Sequence, residues 1–296
     1  MGAPGSGCTT LFKAFQIIYS GWGEDAQRQE YRPLVEQHFW RCVEDLARLV
    51  ETSPEIGASE REAISPPPSP GPITKEAVDW AEQTWHSDAV CRAVSWTPDG
   101  HSGTISSYPY TFPCAERLLN QSYTPTLQDI LFTSTRLTGI LTEDFTWDGY
   151  KYTVIDVGGQ KSERRKWIDH FDDASLLYVV NMLCVFDPDE LEESLKVFES
   201  FVGNERLFGG VVLMMNKVDL FERVCVGGSF RSYGHLGDYG GEEKDLEGIK
   251  RYVAEKFLKV LKERNVVIHY TTATDLDMMS HILKHILQYH SAPVLV

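Results

Sequence analysis

Four short runs rich in β-branched and aromatic residues constrain this chain more than anything else in it: YTVID at 152–156, SLLYVV at 175–180, VVLMM at 211–215 and VVIHY at 266–270. Apolar runs of that length predict buried strands. Helical patterns lie between and after them. The clearest covers 188–202, where Asp187 can cap, Pro188 suits the first turn, and Leu191, Leu195, Phe198 and Phe201 share a face. Further helices are expected over roughly 245–262 and 275–289. Strands that alternate with helices predict an α/β fold with a parallel central sheet covered on both sides.

A glycine-rich stretch, GAPGSGCTT at 2–10, runs straight into a helical pattern with Leu11, Phe12, Phe15 and Ile18 on one face. The spacing from Gly2 to Gly7, followed by Thr9, is that of a phosphate-cradling loop, in which backbone N–H groups and a helix N-terminus face an anion. Gly5, Ser6, Gly7, Cys8, Thr9 and Thr10 are the candidate phosphate contacts. Such a loop normally carries a lysine where this one has Cys8, so phosphate binding is expected to be weakened rather than lost. Gly2 has two readings, as the first loop glycine or as the acceptor of an N-terminal acyl group in the pattern M-G-x-x-x-[ST].

Residues 25–128 have a different character, with no strand pattern. Val35, Phe39, Cys42, Val43, Leu46, Leu49 and Val50 trace a helix stripe, and a second helical stretch is expected over about 75–95. SPPPSPGP at 65–72 cannot continue a helix and reads as an exposed link. The expected organisation is a discontinuous α/β domain of residues 1–24 and 129–296, interrupted by an inserted all-helical domain of residues 25–128.

Composition removes several alternatives. A net charge of −15 argues against a broad electrostatic grip on nucleic acid. The cysteines at 8, 42, 91, 114, 184 and 225 form no C-x-x-C pair and no short zinc spacing, so reduced thiols are expected. The longest apolar stretch is too short to span a bilayer. The expected location is the cytoplasm, with the inner face of the plasma membrane a second possibility.

Three segments carry chemistry at strand ends. Asp156 closes the first run and is followed by two glycines, where a carboxylate can enter a Mg²⁺ shell. Asn216, Lys217 and Asp219 follow the third run in NKVD. Asp219 can accept the N1 and N2 protons of guanine, a donor pair that adenine lacks. TTATD at 271–275 follows the last run, where the Ala273 N–H can meet the guanine O6. A base that leaves such buried groups unpaired is rejected strongly.

Taken with YRPLVEQ, YTPTLQDIL, TGI, DVGGQKSERRKWI, NKVDLF and TTATD, the chain resembles the α subunit of heterotrimeric G proteins over nearly its whole length. The resemblance implies a P-loop GTPase domain with an inserted helical domain, GTP and GDP as ligands and Mg²⁺ as cofactor. It makes Gln160 the residue that orients the attacking water, Gly159 the γ-phosphate contact, and Thr9 and Asp156 the metal positions. Implied partners are a βγ dimer, a G-protein-coupled receptor and an effector, with Lys166 and Trp167 in the basic run KSERRKW as contact residues.

Departures from the family pattern matter as much. Ser134 stands where an arginine finger belongs and Leu137 where a threonine normally ligates Mg²⁺, with Arg136 and Thr138 nearby. The segment VVNMLCVFDPDELEESL is shorter than its counterpart in the family. The chain also begins at the loop, without the central strand and amphipathic helix that precede it in the family. Two functional readings stay open: a signalling GTPase that hydrolyses GTP slowly, and a pseudo-GTPase module that binds partners without turnover. A shortened gene reading is a third source of the departures.

Overall fold

The computed structural model describes residues 1–95, 105–133, 140–157, 174–203, 210–227, 236, 238–242, 244–261 and 265–291. The chain divides into two compact units, Met1–Trp22 with Arg136–Val296, and Gly23–Thr135. The first unit opens with α1 (Cys8–Tyr19), which buries Leu11, Phe12 and Phe15.

The Gly23–Thr135 unit is helical among its described residues. It contains α2 (Asp25–Glu30), α3 (Arg32–Thr52), α4 (Ala58–Ala63), α5 (Lys75–Trp85), α6 (Asp88–Ser95), α7 (Tyr108–Thr111) and α8 (Leu127–Phe132). Its core forms around α3, where Val35, Phe39, Cys42, Val43, Leu46 and Val50 recur at helical spacing and are all buried. They pack with Ala77, Val78 and Ala81 of α5 and with Tyr108 and Phe112. Residues 65–72, between α4 and α5, form no helix and are mostly exposed. Thr74 caps α5 by accepting the Ala77 N–H, and Thr126 and Asp129 cap α8 reciprocally. His38, Cys42 and Ser107 meet in this core, with His38 Nε2 3.1 Å from Ser107 Oγ. Burial pushes the Cys42 thiol up to about 12, which favours the neutral thiol.

In the other unit, β1 (Leu141–Trp147) and β2 (Tyr150–Asp156) form an antiparallel hairpin. Asp148 and Gly149 close it with φ of +49° and +79°, the left-handed pair that a tight hairpin turn requires and that Asp-Gly favours. β1 was not among the strands expected from sequence. Only Phe145 of its seven residues is buried, so no apolar run marks it.

β3 (Leu176–Asn181), β4 (Val211–Asn216) and β5 (Val266–Thr271) form a parallel sheet in the order β3-β4-β5, with Val179, Met214 and His269 in one row. Every residue of β4 is buried, as a central parallel strand covered by helices should be. A 3₁₀ turn over Met182–Phe186 follows β3, then α9 (Pro188–Val202) leads to β4. α10 (Val218–Gly227) and α11 (Leu246–Leu258) lie between β4 and β5, and α12 (Leu276–Ser291) follows β5. Asp187 caps α9 by accepting the N–H groups of Asp189 and Glu190, and Leu191, Phe198 and Phe201 face the core.

The hairpin and the parallel sheet are separate among the described residues. The outer edge of β3 is met by the first residues of the chain: the Val179 N–H donates to the Met1 carbonyl at 2.8 Å, and the Met1 ammonium donates to the Leu177 carbonyl at 2.8 Å. Gly2 forms a parallel bridge to Val179 and is buried there. Because β3, β4 and β5 are parallel, their C-terminal ends lie on one side of the sheet, where α/β folds gather ligand-binding loops.

Candidate functional site

The glycine-rich loop ends in a tight left-handed step. Gly5 and Gly7 have φ of +77° and +100°. At Gly7 there is a second constraint, since a Cβ there would lie 2.3 Å from Asn216 Nδ2. The Leu11 N–H accepts no ligand role because it donates to the Gly7 carbonyl at 2.9 Å, the first intrahelical bond of α1. The N–H groups just before it belong to the first turn, which has no intrahelical acceptors and suits an anion. Ser6 is buried and its Oγ lies 3.2 Å from Cys8 Sγ, while Cys8 itself is half-buried.

Thr9 and Asp156, the metal positions that the family resemblance implies, lie near each other, with Thr9 Oγ1 donating to Asp156 Oδ2 at 3.4 Å. Asp156 is buried at the end of β2. Mg²⁺ favours oxygen ligands and is commonly held by one or two carboxylates together with substrate phosphates and water. A hydroxyl and a carboxylate at this separation, beside a phosphate-type loop, fit that ion.

Asn216 is the centre of the site. It ends β4 and is 2% exposed. Its Nδ2 donates to the Ser6 carbonyl at 2.8 Å, and its Oδ1 accepts from the Ala273 N–H at 3.0 Å and from Thr271 Oγ1 at 3.2 Å. One side chain thus joins the loop, the end of β4 and the turn after β5. Lys217 follows with φ of +63°, and burial holds its ammonium below the ordinary lysine range, against the opposing pull of Glu190 and Asp219. Asp219, in the first turn of α10, accepts the Thr272 hydroxyl on Oδ1 at 3.1 Å.

Among the expected site residues, Asn216 joins Ser6 of the loop to Ala273, Asp219 is bonded to the same turn through Thr272, and Thr9 lies beside Asp156. The Ala273 N–H, which sequence reasoning directed at a guanine oxygen, is donated to Asn216. Gly159, Gln160, Lys166 and Trp167 lie outside the described residues, as do Ser134, Arg136, Leu137 and Thr138. Among the described residues no helix is long and apolar enough to cross a membrane, and no group of three or more His, Cys, Asp or Glu could hold a metal ion.

The sequence pattern of the family described as "G-protein alpha subunit" matches residues 1–290. The chain belongs to the G-protein alpha subunit family. This alpha-subunit chain is 34% identical over 180 residues to the "Guanine nucleotide-binding protein G(o) subunit alpha" of Geodia cydonium, a match covering 57% of the chain and 50% of that protein. It is 28% identical to the "Guanine nucleotide-binding protein alpha-1 subunit" of Caenorhabditis elegans, over 97% of the chain and 85% of that protein. A similar span, 96% and 84%, matches the "Guanine nucleotide-binding protein alpha-2 subunit" of Mycosarcoma maydis at 26% identity.

Two residues of this alpha subunit's site were missed by sequence reasoning. Thr271 and Thr272 each donate a hydroxyl to a residue of the NKVD segment. Their only signal was membership of TTATD, and hydroxyl direction is not written in a loop sequence.

Proposed function

We propose that this alpha subunit is a signal transducer that binds GDP and GTP with Mg²⁺ and hydrolyses GTP slowly. The observation that supports it best is the double role of Asn216, bonded at once to the Ser6 carbonyl of the loop and to the Ala273 N–H. That arrangement sets a base-reading carboxylate, Asp219, at a fixed place relative to a phosphate-binding loop. Gly5 to Thr10 would take the phosphates through backbone N–H groups, and Asp219 would take the N1 and N2 protons of guanine.

Thr9 and Asp156 would hold Mg²⁺, which when bound neutralises charge on the β and γ phosphates. Gln160 is the residue assigned to orient the attacking water, with Gly159 beside the γ-phosphate. Slow turnover follows from Ser134 and Leu137, which supply neither a cation nor a metal-ligating hydroxyl where the family pattern has them. The partners proposed are a βγ dimer, a receptor and an effector at the cytoplasmic face of the membrane, with Lys166 and Trp167 as contacts.

The departures at Cys8, Ser134 and Leu137 support a second reading, binding without turnover. Competition of GDP, GTP and ADP for the purified protein, followed by single-turnover hydrolysis, tests both. Equal competition by ADP and GDP would overturn guanine recognition. Guanine binding with no phosphate release would select the second reading.

A further inference from the structure

The proline-rich run SPPPSPGP at 65–72 serves neither the nucleotide site nor the helical core. Its backbone is narrowly restricted all the same. Pro66, Pro67, Pro68 and Pro70 each have φ held by the ring at about −65°. Ser65, Pro66, Pro67 and Ser69 each precede a proline, which keeps them in the extended and polyproline II region. Residues 65–69 run without a turn. They suit a polyproline II helix, with about three residues per turn and about 3.1 Å of rise per residue.

Both ends of this strap are pinned to the helical unit. Trp80 of α5, 7% exposed, donates its indole N–H to the Ser65 carbonyl at 2.8 Å. Trp40 of α3, edge-on to Phe39, donates its own to the Gly71 carbonyl at 2.7 Å. Just outside those bonds, Ile64 and Ile73 are partly buried against the helical core. Exposure between them follows the threefold repeat. Ser65, Pro68 and Gly71 share one edge, and it is this edge that carries both anchored carbonyls and the half-buried Pro68. Pro67 and Pro70 share a second edge, Pro66 and Ser69 a third, and all four are exposed. The strap thus turns one edge to the protein and offers two Xaa-Pro pairs, Pro66-Pro67 and Ser69-Pro70, on the others.

We infer that this strap is a docking ligand for a partner domain with an aromatic-lined, polyproline-binding groove of the SH3 or WW kind. Such grooves seat PxxP segments in the polyproline II conformation, and Pro67 and Pro70 supply that spacing on an exposed edge. The cost of ordering a linker on binding is reduced, because the two tryptophans hold its ends before any partner arrives. Charge bears on the partner as well. The strap contains no basic side chain, Arg61 before it is committed to the Val50 and Ser53 carbonyls, and Lys75 after it to Asp79. The groove therefore reads prolines rather than a cation. This docking is independent of the nucleotide site.

The test titrates a peptide of residues 64–73 against a set of purified SH3 and WW domains, then the full chain against each domain that the peptide binds, by calorimetry. The full chain should bind at least as tightly as the peptide, since its strap is already ordered. Pro67→Ala combined with Pro70→Ala should weaken binding by about tenfold or more, whereas Pro68→Ala on the inward edge should change it by less than about threefold. Circular dichroism checks that each variant stays folded. Should the double variant unfold, Pro67→Ala alone carries the comparison. The inference is overturned if no domain binds the peptide, if the full chain binds more weakly than the peptide, or if binding survives loss of the exposed prolines.

Discussion

Asn216 Nδ2 donates to the carbonyl of Ser6 at 2.8 Å, tying the end of the central strand β4 to a loop at the far end of the chain. Because Asn216 is 2% exposed, its partners have no water to fall back on. Asn216→Leu keeps the branched outline, though its methyls are bulkier, and leaves the Ser6 carbonyl and the Ala273 N–H unpaired, at about 1–3 kcal/mol each. Thermal melts should show a drop of several degrees, and GDP should no longer raise the midpoint. A variant that melts like the wild type and still responds to GDP would refute the clamp.

Gly7→Ala and Gly149→Ala separate two costs that usually travel together. Both glycines have positive φ, +100° and +79°, but a Cβ at Gly7 meets Asn216 Nδ2 at 2.3 Å, whereas at Gly149 nothing lies within 4 Å. The hairpin variant should lose only the backbone strain, about 1–2 kcal/mol. The loop variant should lose more in denaturant unfolding and lose GDP binding as well. Equal losses in the two would mean that the Asn216 contact relaxes without cost.

Cys8→Lys returns a cation to the phosphate loop. Charge-assisted hydrogen bonds of this kind are worth about 1.5–3 kcal/mol, or roughly ten- to a hundredfold in GDP affinity. Titration calorimetry on the two proteins measures it. A folded Cys8→Lys protein with no gain would show that the loop does not seat phosphate as described.

Ser134→Arg should raise the single-turnover rate of GTP hydrolysis. A finger arginine is worth about 10³ to 10⁵ in turnover, a figure for GTPases of this class rather than for this chain. A wild-type rate that already matches an arginine-bearing alpha subunit would sink the idea and direct attention to Arg136.

His269 on β5 and His285 on α12 meet edge to face, with ring centroids 5.3 Å apart. Burial, and then the neighbouring His285, hold the His269 pKa below its ordinary value near 6.5. Between the folded value and 6.5 the unfolded chain binds a proton that the folded chain does not. This contribution to stability is therefore complete above pH 6.5 and falls as the pH drops through that window, levelling off below the folded value. His285→Gln should raise the His269 pKa in an NMR titration and flatten the acid slope of the stability curve. An unmoved His269 resonance would exclude coupling between the rings.

Much of this architecture was legible because burial writes itself into composition. β3 and β4 are apolar runs with nearly every residue buried, and α9 announces both its cap at Asp187 and its buried face. β1 was not legible from apolar content, since LTEDFTW is largely polar and only Phe145 is buried. Its signal was the Asp-Gly pair beyond it, between two alternating segments. The site showed the same split. Asn216 and Asp219 stand out by type and position, whereas the hydroxyls of Thr271 and Thr272 and the direction of the Ala273 N–H depend on turn geometry that no periodicity encodes.

The Asp148-Gly149 turn also sets an order of events. Leu141–Trp147 finds Tyr150–Asp156 across two residues, a closure of the kind that takes microseconds. β3 ends at Asn181 and must wait for Val211, and β4 ends at Asn216 and must wait for Val266, so each parallel pairing closes a long loop before any ladder bond repays the lost entropy. The hairpin is therefore the pairing of this unit with the smallest loop-closure cost. The carboxylate of Asp156 thus stands at the end of an element closed by neighbours in sequence, whereas its contact with Thr9 and the contact of Asn216 with Ala273 each join segments far apart in the chain.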